Sequence, residues 1–153
     1  MRAAHEVSIR RCQGPDDKAP TSQLLIDGVP IGRPVAGAVL EAAIACGDLL
    51  LLFMTDDTPF EESLSIHLLD RQGRLLDSAR LGWPYTTGSF TALRLVNATT
   101  VCFRFFGDTD WTLQILPRPS LRIPFFPDAP GVTRSLGFKR WFAIQGKPAR
   151  QPT

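Results

Sequence analysis

The sequence lacks the residues and motifs on which several classes of protein depend. Its three cysteines, Cys12, Cys46 and Cys102, are widely spaced and form no CxxC pair, which argues against a disulfide framework and a zinc site. The two histidines, His5 and His67, belong to no HExxH motif, and no GxGxxG or GxxxxGK[ST] loop is present. We therefore expect no cofactor, no bound metal and no enzymatic activity.

Long apolar runs are also missing. The longest wholly apolar run, Leu49 to Met54, has six residues, whereas a membrane-spanning helix needs about 20. The segment from Met1 to Pro20 is rich in charges and has no apolar stretch, so it does not read as a secretion signal. We expect a cytoplasmic protein with reduced thiols and no membrane partner.

What is present is the composition of one soluble domain. A chain of 153 residues is long enough to bury a core, and 44% hydrophobic with 21% charged residues is ordinary for a globular protein. The net charge of +2 favours no particular partner. The charge is uneven, however, since residues 1–117 carry a balance of −4 and residues 118–153 one of +6.

Period-two alternation of apolar residues is the strongest pattern, and it predicts half-buried β-strands. It runs through five segments: Leu64–Leu68, Leu75–Leu81, Phe90–Val96, Thr99–Phe106 and Trp111–Ile115. In the second segment, Leu75, Ala79 and Leu81 are expected on one face. Short polar turns separate the segments, as in an antiparallel meander. We predict a mainly β domain with little helix, folded as a sandwich or an open barrel.

The two ends of the chain are less regular. Asp27-Gly28 predicts a type I′ hairpin between Leu24–Ile26 and Val29–Ile31, with Pro30 confining the return strand to a sheet edge. Residues Val35 to Cys46 fit either a helix or a strand, and we favour a strand over Val39–Ala45.

The last third is rich in proline, which predicts an extended strap. Two short edge strands are expected within it, at Leu121–Phe126 and Trp141–Ile144. We assign residues 1–145 to a single β-rich domain and residues 146–153 to a flexible tail.

An acidic cluster lies between two predicted strands. Asp56, Asp57, Glu61 and Glu62 fall within seven residues, around Phe60. One interpretation is a solvated turn that keeps the neighbouring strands soluble. The other is an acidic knob that docks into a positively charged groove of a partner, with Phe60 as its apolar anchor.

A second candidate surface is the segment from Gly82 to Gly88, which contains Trp83 and Tyr85. Two large aromatic residues beside proline and glycine suit a recognition loop. The alternative, which we favour, is that they cap one end of the core.

Two further readings are weaker. Basic and aromatic residues mix near the C-terminus (Arg134, Lys139, Arg140 and Lys147 with Phe138, Trp141 and Phe142), as in proteins that bind single-stranded nucleic acid. Their apolar members fit a core strand, so we expect no direct nucleic-acid binding. Asp108 and Asp110 are better explained by a turn than by a calcium loop, because the further acidic ligands are missing.

The order of strands and turns from Val39 to Ile115 resembles a known class of protein. Phe53–Leu64 leads into the hairpin from Leu69 to Asp77, followed by Gly82–Phe90 and Phe103–Trp111. This progression is similar to the bacterial immunity proteins of polymorphic toxin systems, including contact-dependent growth inhibition. The resemblance implies a cytosolic, non-enzymatic protein that blocks the active site of a cognate toxin domain, typically a nuclease with a basic cleft. The net charge of +2 departs from the acidic character of many such proteins.

The working hypothesis is therefore an immunity protein, or antitoxin, that neutralises a toxin by occlusion. Its expected partner-binding residues are Asp56, Asp57, Phe60, Glu61, Glu62, Trp83 and Tyr85. The alternative is a small-ligand-binding β-barrel protein or an uncharacterised small enzyme, which would need a concave pocket with convergent polar groups.

Overall fold

The fold was analysed in a computed structural model. It describes residues 1–14, 18–58, 62–82, 88–106, 109–121, 131–134 and 139–146. Thirteen strands are assigned in these ranges: Arg2–Ala3 (β1), Val7–Arg11 (β2), Thr21–Ile26 (β3), Val29–Ala36 (β4), Val39–Cys46 (β5), Leu49–Thr55 (β6), Leu64–Asp70 (β7), Leu75–Leu81 (β8), Thr91–Leu95 (β9), Thr100–Arg104 (β10), Asp110–Leu121 (β11), Val132–Arg134 (β12) and Lys139–Gln145 (β13). Over these ranges, no helix has the length and apolar character needed to cross a membrane.

The strands form three sheets. The central sheet has six strands in the order β1-β5-β6-β7-β8-β12, the four-stranded sheet runs β13-β11-β10-β9, and the three-stranded sheet runs β2-β3-β4. All the pairings are antiparallel. The predicted mainly β fold is confirmed: the sheets are antiparallel, none of the three described sheets closes into a barrel, and they pack face to face as in a sandwich.

The central sheet is covered on both faces. One face packs against the four-stranded sheet in a core rich in aromatic residues, which includes Phe53, Phe103, Trp111 and Phe142. The other face packs against the three-stranded sheet in a smaller aliphatic core. The molecule therefore has three layers, one more than alternation alone suggested.

Burial on both faces explains the apolar run from Leu49 to Met54. In β6 every residue after Leu49 is buried, and in β7 every residue before Asp70 is buried. Strands covered on both faces read as continuous apolar runs rather than as alternating ones. Leu51 and Phe53 accordingly point to the aromatic core, whereas Leu50, Leu52 and Met54 point to the aliphatic core.

The predicted hairpins are present. Asp27 and Gly28 have φ values of 50° and 79°, as a type I′ turn requires, and Ile26 pairs with Val29. Pro30 lies in β4, which is an edge strand as predicted. In the β7–β8 hairpin, a register shift between Leu68 and Leu69 breaks the expected face. Leu75 is therefore exposed and does not share the buried face of Ala79 and Leu81.

The ambiguous segment from Val35 to Cys46 contains no helix. It holds the end of β4 and the whole of β5, so the preferred strand assignment is confirmed. A bulge in β5 places Glu41 as an extra residue between Leu40 and Ala42, which pair with consecutive residues of β6.

The proline-rich end differs in part from the prediction. The long strand β11 continues through Pro117 and Pro119, where its pairing with β13 is interrupted. The predicted strand Leu121–Phe126 overlaps β11 only at Leu121, and its remaining residues lie outside the described ranges. Trp141–Ile144 lies within β13, at an edge of the four-stranded sheet as expected. Of the predicted tail, residues 147–153 also lie outside the described ranges.

Two glycines hold the three-stranded sheet against the β7–β8 turn. A Cβ atom added to Gly32 would clash with the carbonyl oxygen of Gly73, and one added to Gly73 would lie 2.7 Å from the amide nitrogen of Gly32. Both have positive φ, 65° and 82°, where a side chain is strained. The two backbones are therefore in direct contact, and this contact requires glycine at both positions.

Candidate functional site

The acidic loop begins where β6 leaves the central sheet. Asp56 follows β6 directly and is buried, with a side chain only 6% exposed, whereas Asp57 and Thr58 are exposed. Asp57 has a φ of 58°, so the chain turns sharply at that residue. Asp tolerates this left-handed conformation better than most residues.

Asp56 is held within the protein rather than offered to a partner. Its Oδ2 accepts hydrogen bonds from Arg80 Nη2 at 2.6 Å and from Ser63 Oγ at 3.0 Å. Because Arg80 lies on β8 and Ser63 precedes β7, this carboxylate joins the loop to two strands of the central sheet. Its other oxygen, Oδ1, is buried and has no hydrogen-bond partner in the structure as described.

Glu62 and Glu41 fix the backbone on either side of this contact. The Asp56 amide donates to Glu62 Oε1 at 2.7 Å, which ties the start of the loop to its end. One residue earlier, Thr55 Oγ1 donates to Glu41 Oε1 at 2.8 Å. The loop from Asp56 to Glu62 is thus pinned at its base, and Asp57 projects from that base into solvent.

The structure brings together part of the predicted site. Asp56, Asp57 and Glu62 lie at one loop, but in the described ranges only Asp57 is an exposed carboxylate of that cluster. Phe60, Glu61, Trp83 and Tyr85 lie outside the described residues.

Sequence reasoning missed Glu41 and Arg80. The bulge at Glu41 and the register that places Arg80 opposite Ser65 on β7 bring these residues to the loop. An arginine on a strand next to an acidic loop is the one sequence signal that points to the contact between Arg80 and Asp56.

His67 has a structural role, because both of its ring nitrogens form hydrogen bonds within the protein. His67 is buried, with Nε2 at 2.8 Å from the Ala36 carbonyl oxygen and Nδ1 at 2.9 Å from Ser78 Oγ. A carbonyl only accepts, so Nε2 carries the proton and Nδ1 accepts from the serine. Burial lowers the pKa of His67 from 6.5, against smaller opposing effects of the Ala36 carbonyl and Asp56. This ring therefore links the central sheet to β4 as a neutral hydrogen-bonding group.

The other candidates of the sequence do not form a metal site in the described structure. In those ranges no group of three or more His, Cys, Asp or Glu side chains is arranged to hold a metal ion. Asp110 pairs with Arg104 at 2.7 Å, which lowers the pKa of that carboxyl group, and Asp108 lies outside the described ranges. The three cysteines are free thiols.

Between β5, which β1 pairs with over only part of its length, and the edge strand β9, the described part of the sandwich is open and forms a cleft of about 430 Å³. Its lining is mostly apolar and comes from β5, β9 and the N-terminal segment (Ala3, Ala4, His5, Val7, Leu40, Glu41, Ala42, Ala43, Ile44, Leu93 and Leu95).

Comparison with known proteins identifies no relative. No protein-family profile matched the chain, and neither the curated proteins nor the solved structures contained a significantly similar one.

Proposed function

We propose that this chain is an immunity-type inhibitor, acting in the cytoplasm by binding a protein partner rather than by catalysis. The partner proposed is a toxin domain with a positively charged active-site cleft, such as a nuclease. The observation that carries this proposal is the exposed Asp57 carboxylate, which projects from a loop base pinned by four hydrogen bonds.

The pinned base supports recognition in two ways. A loop fixed at its base loses less conformational entropy on binding than a loose one, which favours affinity. Asp57 would add a negative charge that attracts a basic cleft and sets the orientation of docking. Asp56, neutralised by Arg80, and Glu62, bonded to the backbone, would act as positioning residues for Asp57.

The apolar part of this interface remains a proposal from the sequence. Phe60, Trp83 and Tyr85 are the residues that we propose as anchors in pockets of the toxin, because aromatic residues dominate the binding energy of many interfaces. Glu61, four residues after Asp57 in the sequence, would add a second negative charge.

Charge reversal at Asp57 tests the proposal. The binding partner to be tried is a toxin domain with a basic active-site cleft, sought first among the products of neighbouring genes and produced separately, and binding is measured by calorimetry. We expect Asp57→Lys to weaken binding about tenfold or more, because a like charge then faces the basic cleft. In cells that produce the toxin domain, the same variant should protect growth less well than the natural chain.

Asp48 offers a matched control. It lies in the turn before β6, at the other end of that strand from Asp57, and its side chain is fully exposed, 3.9 Å from Arg71. Asp48→Lys introduces the same charge and should leave affinity nearly unchanged. Equal affinities of the two variants, or growth protection without any binding, would rule out the acidic loop as the docking surface.

A further inference from the structure

The open side between β5 and β9 exposes residues that point toward the aromatic core. Leu95 pairs with Val101, whose side chain is wholly buried in that core, so Leu95 lies on the same face, yet it is 42% exposed. Val39 pairs with Thr55 on the same face of the central sheet as Phe53, and it is 38% exposed. In the described structure, part of the inner faces of the two sheets is therefore exposed along this side.

Part of each sheet edge also lacks a neighbouring strand there in the described structure. Strand β1 pairs with β5 only at Ile44 and Ala45, and one further hydrogen bond joins the Ala4 amide to the Ala43 carbonyl oxygen. In the described structure, residues 39–42 have no strand on that side, and neither has β9 beyond β10. Edges of this kind present a row of backbone donors and acceptors to an incoming strand.

The chemistry of the cleft defines what fits it. Apolar side chains line most of it, and Glu41 contributes a carboxyl group to the lining, which also includes the exposed His5. Glu41 is also bonded to Thr55, next to the acidic loop that carries Asp57. The cleft is thus apolar along its length and negatively charged at the end where β5 begins.

We propose that this cleft binds an extended strand of a partner protein, with apolar residues at alternate positions and a lysine or arginine next to Glu41. Such a strand would pair with a free edge through its backbone and cover Leu95 and Val39 with its apolar face. Backbone pairing supplies affinity in this mode, and the side-chain pockets supply specificity. A bulge at Ala92, whose φ is 57°, distorts the start of β9, so the pairing segment of that strand is Leu93 to Leu95.

The inference rests on the proposed function in one respect, since both require a protein partner. The strand would belong to the same partner, because Glu41, which lines the cleft, is hydrogen-bonded to Thr55 at the base of the acidic loop. A test that does not use the native partner separates the two proposals.

The probe is a displayed library of random decapeptides, selected on the full chain. We expect the enriched peptides to share alternating apolar residues with one lysine or arginine and to lack proline in the pairing segment. Leu95→Lys should weaken their binding about tenfold or more, because it places a charge in the apolar cleft. Glu41→Lys should shift the selected charge from basic to acidic.

Val29→Lys is the matched control, since Val29 is 61% exposed on the three-stranded sheet. It should leave peptide binding unchanged. On addition of a selected peptide to the natural chain, hydrogen exchange should slow at the amides of residues 39–42 and 93–95, a measurement that does not depend on how any variant folds.

Three results would overturn the proposal. The first is that the selected peptides bind the Leu95→Lys variant as tightly as they bind the natural chain. The second is that a peptide binds but hydrogen exchange at the β5 and β9 amides does not slow. The third is sedimentation that shows a dimer dissolved by Leu95→Lys, because the cleft would then be filled by a second copy. Loss of toxin binding in Asp57→Lys with normal peptide binding would leave the acidic-loop proposal standing and separate from this one.

Discussion

The two faces of the central sheet are joined to their neighbours by different means. On the side of the four-stranded sheet, large rings pack closely: Phe103 lies 5.1 Å from Phe53 and 5.5 Å from Phe90, measured between ring centroids. On the side of the three-stranded sheet, the core is aliphatic, and a polar contact crosses between the sheets: His67 Nε2 on β7 donates to the carbonyl oxygen of Ala36 on β4 at 2.8 Å.

The aromatic side also contains a buried ion pair. Arg134 on β12 donates to Asp77 on β8 at 2.8 Å, with side chains only 3% and 8% exposed. The Arg134 guanidinium lies 4.5 Å from the centre of the Phe142 ring, and Asp77 also accepts from the Trp141 amide. The aromatic interface therefore combines ring packing with a buried ion pair. The aliphatic interface has smaller side chains and depends more on individual contacts such as the His67 hydrogen bond.

Truncation of a core residue on each face gives the largest expected effects. We expect Phe103→Ala to lower the free energy of unfolding by about 4 kcal/mol and Leu24→Ala by about 3 kcal/mol. The first loss is larger because truncating the ring removes more buried surface and also its contacts with other aromatic rings. Urea unfolding measures both values. Hydrogen exchange should show faster opening of β3 and β4 in Leu24→Ala, and a larger global loss in that variant would reverse the comparison.

Breaking the buried ion pair comes next in size. Asp77→Ala leaves the Arg134 charge buried without its carboxylate, and we expect a loss of about 3 kcal/mol in unfolding free energy. The matched control is Asp110→Ala, which removes the exposed pair with Arg104, whose side chains are 53% and 61% exposed for arginine and aspartate. That change should cost less than about 1 kcal/mol. Similar losses for the two variants would show that the Asp77 pair contributes no more than a surface pair.

The smallest effect is a pH dependence at the aliphatic interface. The folded state lowers the pKa of His67, so the unfolded chain binds a proton first as the pH falls. Stability from this group is fully present above about pH 6.5, and below that pH it should fall by up to about 1.4 kcal/mol per pH unit. Urea unfolding at pH 7.5 and 5.5 measures the difference.

Two variants assign that dependence. His67→Gln should remove it, and His5→Gln, at an exposed position, should retain it. Asp70 and Asp110, whose pKa values are lowered from 3.8, and Glu6, whose pKa is lowered to about 2, titrate below this range. An unchanged slope in His67→Gln would contradict the role given to this ring.

Much of the sheet structure could be predicted from the sequence because strand signals are local. Alternation located the strands, and Asp27-Gly28 located a hairpin. The third layer could not be predicted, since the continuous apolar run of β6 shows that both faces are buried but not which segment covers them. The bulges, at Glu41 in β5 and at Leu76 in β8, also carry no local signal, and the second of them exposes Leu75.

The candidate site was less predictable for the same reason. Four carboxylates close together in sequence suggested one acidic surface. The strand register instead brings Arg80, 24 residues away, against Asp56, so that this carboxylate stabilises the loop base. Open edges are likewise a property of sheet order, which depends on contacts between distant segments.

The contact between Gly32 and Gly73 makes the outer layer separable in principle. The methyl group of Gly73→Ala would press against the Gly32 backbone, whereas the aromatic core lies on the other face of the central sheet. Such a variant would isolate the remaining two-layer body from its smallest sheet, and would show whether that body is a folding unit in its own right.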